Sequence, residues 1–190
     1  MICTRQSARK LAAIGIAALA LSIAAAAAQA QQTPGVTGSE IRLGTWLPLT
    51  GPIAPYGIPQ LAGIQAALQA TNDAGGIKGR KLNLIHEDNA FNPQRTVAAA
   101  RKLITRDEVF ALVVPNGTPQ TFAALDYVLG EAKVPLINPY AGAIEWFNPP
   151  RENLYGLQVP LELQARVGRS LGRQGRPQED RGGPPDAGRQ

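Results

Sequence analysis

The sequence predicts an α/β fold, a doubly wound parallel sheet with helices on both faces. Three observations lead there. Four short apolar runs begin at Ile41, Leu82, Val109 and Val134. Each interval between them holds apolar residues at helical spacing. The runs start 41, 27 and 25 residues apart, close to the roughly 30 residues of a strand–helix–strand unit.

Taken in order, the chain opens with a different kind of segment. Met1 to Lys10 carries three positive charges, Leu11 to Ala28 is an unbroken run of Leu, Ile, Ala, Gly and one Ser, and Ala28-Gln29-Ala30 places small residues where a signal peptidase reads them. Residues 1–30 are therefore expected to be a cleavable export signal. No stable membrane insertion is expected after cleavage, because Ala contributes little hydrophobicity and no stop-transfer pattern follows. Cleavage would remove Cys3, the only cysteine, and with it any disulfide, thiol nucleophile or thiolate metal site.

Ile41 to Leu47 is the first predicted strand. A loop containing Pro48, Gly51, Pro52, Pro55 and Gly57 follows, then a helix over Ile58 to Asn72 with Leu61, Ile64, Ala67 and Leu68 on one face. Ala74-Gly75-Gly76 ends it, since Gly readily takes the left-handed conformation of a helix terminus. Leu82 to His86 is the second strand. Asn92-Pro93 then places a capping side chain directly before a proline in the first helical turn, and Val97, Ala100, Leu103 and Ile104 form one stripe. Val109 to Val114 is a continuous apolar run, as expected of a parallel strand buried on both faces. Thr118-Pro119 opens a third helix carrying Phe122, Leu125 and Leu129, and Val134 to Ile137 is the fourth strand.

In such a sheet a ligand sits outside the carboxyl ends of the strands, where the strand order reverses. That selects four loops: Pro48 to Gly57, Glu87 to Asn92, Pro115 to Thr118 and Asn138 to Ala143. They contain no nucleophile elbow, no P-loop and no dinucleotide fingerprint, so no catalytic residue and no cofactor is expected. His86 is the only histidine, which leaves Glu87 and Asp88 without the second or third strong ligand a catalytic zinc wants; the three read as a strand-end polar cluster capping the next turn, and no metal is expected. Asn116-Gly117-Thr118 has the composition of an anion-binding turn, in which backbone N–H groups at a helix start point at a carboxylate. Thr118 is equally suited to capping its own helix. Tyr56 in a Pro- and Gly-rich loop, and Tyr140 and Trp146 beyond the fourth strand, are aromatic residues positioned to cover a bound molecule or simply to pack.

The formal charge of +5 is concentrated at the ends, for residues 31–165 carry ten bases against eleven acids. A nearly neutral middle excludes a nucleic-acid-binding surface.

Gly35-Val36-Thr37, Glu40-Ile41, Leu49-Thr50-Gly51-Pro52, Tyr56-Gly57, the run Asn72 to Lys81, Asp88 and Asn92-Pro93 occur in order. Together they resemble the start of a branched-chain amino-acid-type (Leu/Ile/Val-binding-like) substrate-binding protein of an ABC transporter, a type I periplasmic binding protein. The resemblance covers Gly35 to about Gln164. It implies two α/β lobes closing over a small solute, a periplasmic location, delivery to a transporter permease, and no enzymatic activity. Carried over by position, the first-lobe contacts come from Tyr56, from Asn116, Gly117 and Thr118, and from Tyr140, Ala141 and Gly142. Tyr140 is bulky and Gly142 lacks a hydroxyl, so the expected ligand widens from an amino acid to an amide or an aromatic or branched carboxylate. A sensor domain reporting ligand to a membrane receptor is the alternative role.

Family members of this kind are more than twice as long, and the second lobe is missing from the sequence. From Val167 to Gln190 only Val167, Leu171 and Ala187 are apolar among many Gly, Pro, Arg and Gln residues. The expected organisation is thus a signal over 1–30, an N-terminal lobe over 31–165, and a disordered Arg/Gly/Pro-rich tail over 166–190, attributed to a reading-frame change or truncation near Arg166.

Overall fold

Eight successive register pairs, from Glu40 opposite Lys81 to Leu47 opposite Asp88, make a parallel ladder between β1 (Glu40–Leu47) and β2 (Lys81–Asp88). The computed structural model describes residues 33–140 and 142–174. The expected signal, Cys3, Ala141 and residues 175–190 lie outside the described residues. The remaining strands, β3 (Ala111–Val113), β4 (Leu136–Ile137) and β5 (Leu154–Tyr155), extend the ladder in parallel to the order β2-β1-β3-β4-β5. Between strands run α1 (Ala54–Asp73), α2 (Pro93–Thr105) and α3 (Thr118–Leu125), the last continuing as a π-helical stretch over Asp126–Glu131. A 3-10 turn spans Ile144–Trp146, and α4 (Leu161–Gln174) follows β5.

The first crossover moves to one side of β1 and the later ones to the other, which puts α1 on the face opposite α2 and α3 when crossovers are right-handed. The two layers are packed very differently. Trp46, Leu112 and Leu136 from the sheet meet Ala99, Ala100 and Leu103 of α2 and Ala124, Leu125 and Val128 of the α3 segment in one buried core. Burial of apolar surface at roughly 25 cal/mol per Å² is therefore concentrated in this layer. On α1 only Gly57 is buried. The apolar face of α1 borders an open cavity of about 410 Å³ lined by Leu43, Ile64, Ala67, Leu68, Val113 and Val114.

α2 forms as its sequence dictates, with the Asn92 side chain accepting from the Arg95 N–H at 3.0 Å and Pro93 in the first turn. The structure corrects some expectations and decides what others left open. The helix expected from Ile58 begins at Ala54, so Tyr56 stands in its first turn and not in a loop; Pro55 falls in that turn, where no N–H is needed, and Pro59 lies inside the helix. Trp146 is buried and stacks near Phe122, ring centroids 4.5 Å apart, so it belongs to the core and not to a site. β5 was not expected, because Leu154–Tyr155 is too short to leave a periodic signal. Finally, α4 carries helix across the expected boundary at Arg166 as far as Gln174, where a disordered tail was expected.

Candidate functional site

All five strands are parallel, so their carboxyl ends share one edge of the sheet. The β3 and β4 loops meet there directly. Tyr140 N–H donates to the Pro115 carbonyl at 2.8 Å, Gly117 N–H donates to the Tyr140 carbonyl at 3.3 Å, and Asn116 pairs with Tyr140 as an isolated parallel bridge. Asn116, Gly117, Thr118 and Tyr140 are thereby brought together. Gly142 lies beside them, its carbonyl accepting from Leu161 N–H at 2.8 Å where α4 begins. Ala141 is outside the described residues.

Gly117 is the N-cap of α3 with φ 105°, and no side chain caps the helix. A side chain at this φ is strained, and a Cβ would fall on the Gln120 amide. The turn therefore requires glycine, and Thr118 occupies the first helical position without acting as a cap. Its hydroxyl makes no hydrogen bond among the described residues. Pro119 has no N–H, and the N–H groups of Thr118 and Gln120 find no acceptor among the described residues. The positive end of the α3 dipole thus faces the sheet edge.

Asn116 is only 5% exposed, and its side-chain amide donates to Gln60 Oε1 of α1 at 2.6 Å. Gln60 Nε2 donates in turn to the Val114 carbonyl at 2.7 Å. The structure therefore uses Asn116 first as an internal brace. Val114, a β-branched residue at φ 48°, is held in a conformation such residues rarely adopt. Tyr56 and Tyr140 are 68% and 54% exposed, so both present aromatic surface to the outside.

Sequence reasoning missed Gln60, and it read Asp88 only as a member of a strand-end polar cluster with His86 and Glu87. Asp88 ends β2, and its Oδ1 accepts from the N–H groups of Leu49 at 2.9 Å, Thr50 at 3.3 Å and Ala90 at 2.8 Å, while Oδ2 accepts from Thr50 Oγ1 at 2.6 Å. Burial works to raise its pKa, but the Thr50 hydroxyl and the three backbone N–H groups outweigh it and hold the carboxyl below the usual aspartate value. Arg95 Nη2 lies 3.5 Å from Oδ2. Neighbouring Glu87 is bound to Lys102 Nζ, so the two carboxylates beside His86 are committed to structural contacts. The sequence hint of Asp88's role is its place in the polar run His86-Glu87-Asp88 at a strand end.

The sequence profile described as "Periplasmic binding protein" matches residues 40–157. The chain belongs to the periplasmic binding protein family. It is 34% identical over 103 residues to the Leu/Ile/Val-binding protein homolog 3 of Brucella melitensis, a match that spans 54% of this chain and 27% of that protein. Among solved structures it resembles the substrate-binding periplasmic protein of Ralstonia solanacearum, with 26% identity and a TM-score of 0.65 over 72% of this chain and 38% of that one. It also resembles the branched-chain amino acid transporter substrate binding protein LivJ of Streptococcus pneumoniae in complex with isoleucine, with 28% identity and a TM-score of 0.59 over 64% and 34% of the two chains. This chain thus spans about a quarter to two fifths of the length of these binding proteins, the extent of one lobe of the fold. The relatives are binding proteins, not enzymes. Among the described residues, no helix is long and apolar enough to cross a membrane.

Proposed function

We propose that this chain supplies the first lobe of an extracytoplasmic solute-binding component of an ABC transporter. The solute is a small amino acid, amide, or aromatic or branched carboxylate. The observation that carries the reading is the joined β3 and β4 edge, where Asn116 and Gly117 pair with Tyr140 just before the start of α3, whose Thr118 and Gln120 N–H groups have no acceptor among the described residues. Such a turn suits one carboxylate or amide oxygen, while exposed Tyr56 and Tyr140 offer aromatic surface for the rest of a small molecule. The names of the relatives, and the isoleucine held by one neighbour, support this class of solute. Export through residues 1–30 and delivery to a permease belong to the same proposal.

A single lobe presents half of the partners of a solute that two lobes would enclose, so its affinity is weak. The test is an NMR titration of the chain with L-isoleucine, L-leucine, benzoate and an aliphatic amide. Millimolar binding with shifts centred on Gly117, Thr118 and Tyr140 is expected; submicromolar affinity, or shifts confined to another surface, would overturn the reading. Mass spectrometry of the exported product tests the cleavage, with Gln31 expected as the new N-terminus.

A further inference from the structure

Asp88 is the point where two loops of the candidate edge are fastened to one side chain. As the partner of Leu47 in the last rung of the β1–β2 ladder, it stands at the mouth of the loop that leads into α1. Its carboxylate gathers both the N–H and the hydroxyl of Thr50, the N–H of Leu49 and the N–H of Ala90, which starts the next loop. α1 has no side-chain cap at Ile53, so its first turn lacks the local device that usually decides where a helix begins. What precedes it is short and stiff. Gly51 accepts from Ala54, Ile53 accepts from Tyr56, and Pro52 and Pro55 restrict the backbone between Thr50 and Tyr56. Gly57 is pressed against the Pro48 carbonyl, where a Cβ would collide. A displacement of Thr50 is therefore transmitted to Tyr56 instead of being absorbed.

We infer that Asp88 is a positioning residue for solute capture: by fastening Leu49 and Thr50 to the end of β2, it sets where α1 starts and where Tyr56 stands. It touches no solute and acts through Thr50. The inference rests on the solute-binding reading for its Tyr56 limb, whereas the fastening itself is measurable without any solute.

Two measurements separate these. In amide hydrogen exchange of the full chain, Asp88→Ala raises exchange at Leu49, Thr50 and Ala90 by about tenfold or more relative to Leu112 in the core. Asp88→Asn restores most of the protection, because its Oδ1 still accepts N–H bonds and its Nδ2 can donate to Thr50 Oγ1. Thr50→Val, which leaves the carboxylate and all three N–H bonds in place, gives a smaller rise confined to Leu49 and Thr50 and serves where Asp88→Ala fails to fold. Unchanged exchange at these three amides in both variants would overturn the fastening. For the second limb, L-isoleucine is the probe, titrated by NMR. Asp88→Ala weakens binding about tenfold in the parent chain and leaves it unchanged in a Tyr56→Ala background, as expected for two residues acting in one line. An equal loss in both backgrounds would assign Asp88 a purely structural role and overturn the inference. A parent chain that shows no isoleucine-dependent shifts overturns the solute limb, and the exchange result then stands or falls alone.

Discussion

Asn116 and Gln60 share a 2.6 Å side-chain hydrogen bond across 56 residues of sequence. Through it, and through the bond from Gln60 Nε2 to the Val114 carbonyl, α1 is fastened to the tip of β3 by one amide that uses both of its ends. Gln60→Ala would leave the Asn116 amide without this acceptor in a site that is nearly closed to water, and it would free a left-handed Val114 to relax. A loss of about 1–3 kcal/mol is expected in urea unfolding, with the dependence on urea concentration unchanged.

Gly117 answers to backbone conformation and to space. Ala at this position meets φ 105° and the Gln120 side chain together, so Gly117→Ala is expected to cost about 1–3 kcal/mol. It should also abolish the solute-dependent shifts at Thr118. A variant as stable as the parent with an intact titration would contradict the geometry described for the turn.

The two faces of the sheet should respond unequally to truncation. Leu103→Ala on α2 removes a fully buried side chain from the core and is expected to cost about 2–5 kcal/mol. Leu68→Ala on α1 borders a cavity that is already open, and its cost should stay below about 1 kcal/mol. Gly63 lies in the interior of α1 along the same cavity, with nothing within 4 Å of an added Cβ. Gly63→Ala is therefore expected to stabilise the chain by about 1 kcal/mol, read as a rise in melting temperature.

Asp88 makes stability depend on acid. Its folded pKa is depressed, so its contribution is fully present above the ordinary aspartate value of about 3.9 and is lost as pH falls through the lower folded value. Around it stand Arg95 at 3.5 Å from Oδ2, and Glu87, which Lys102 binds. Acid unfolding monitored by circular dichroism should show a smaller pH dependence below about pH 4 in Asp88→Asn than in the parent. Identical acid limbs for the two proteins would contradict the assignment.

Much of this molecule was legible in its sequence because the signals are local. Asn92 and Pro93 define the start of α2 by a capping bond and a fixed φ that need no distant partner. The apolar runs of β1 and β3, spaced by helical patterns, imply the parallel order and hence the edge that carries Asn116, Gly117, Thr118 and Tyr140. Other features depend on contacts that no window of sequence contains. The start of α1 depends on Gly57 meeting the Pro48 carbonyl and on Asp88 holding Thr50 from another strand. Trp146 lies in the core because Phe122 packs against it, although both it and Tyr140 follow β4 as aromatic residues. Periodicity and capping report on neighbours one helical turn apart, and they determined the fold class and the edge on which a solute would lie. Which side chains at that edge are spent on bracing, and which remain free, was decided only when hydrogen-bond partners roughly 40–60 residues apart in sequence came together, because a buried amide or carboxylate must satisfy its bonds with whatever the tertiary structure brings within reach.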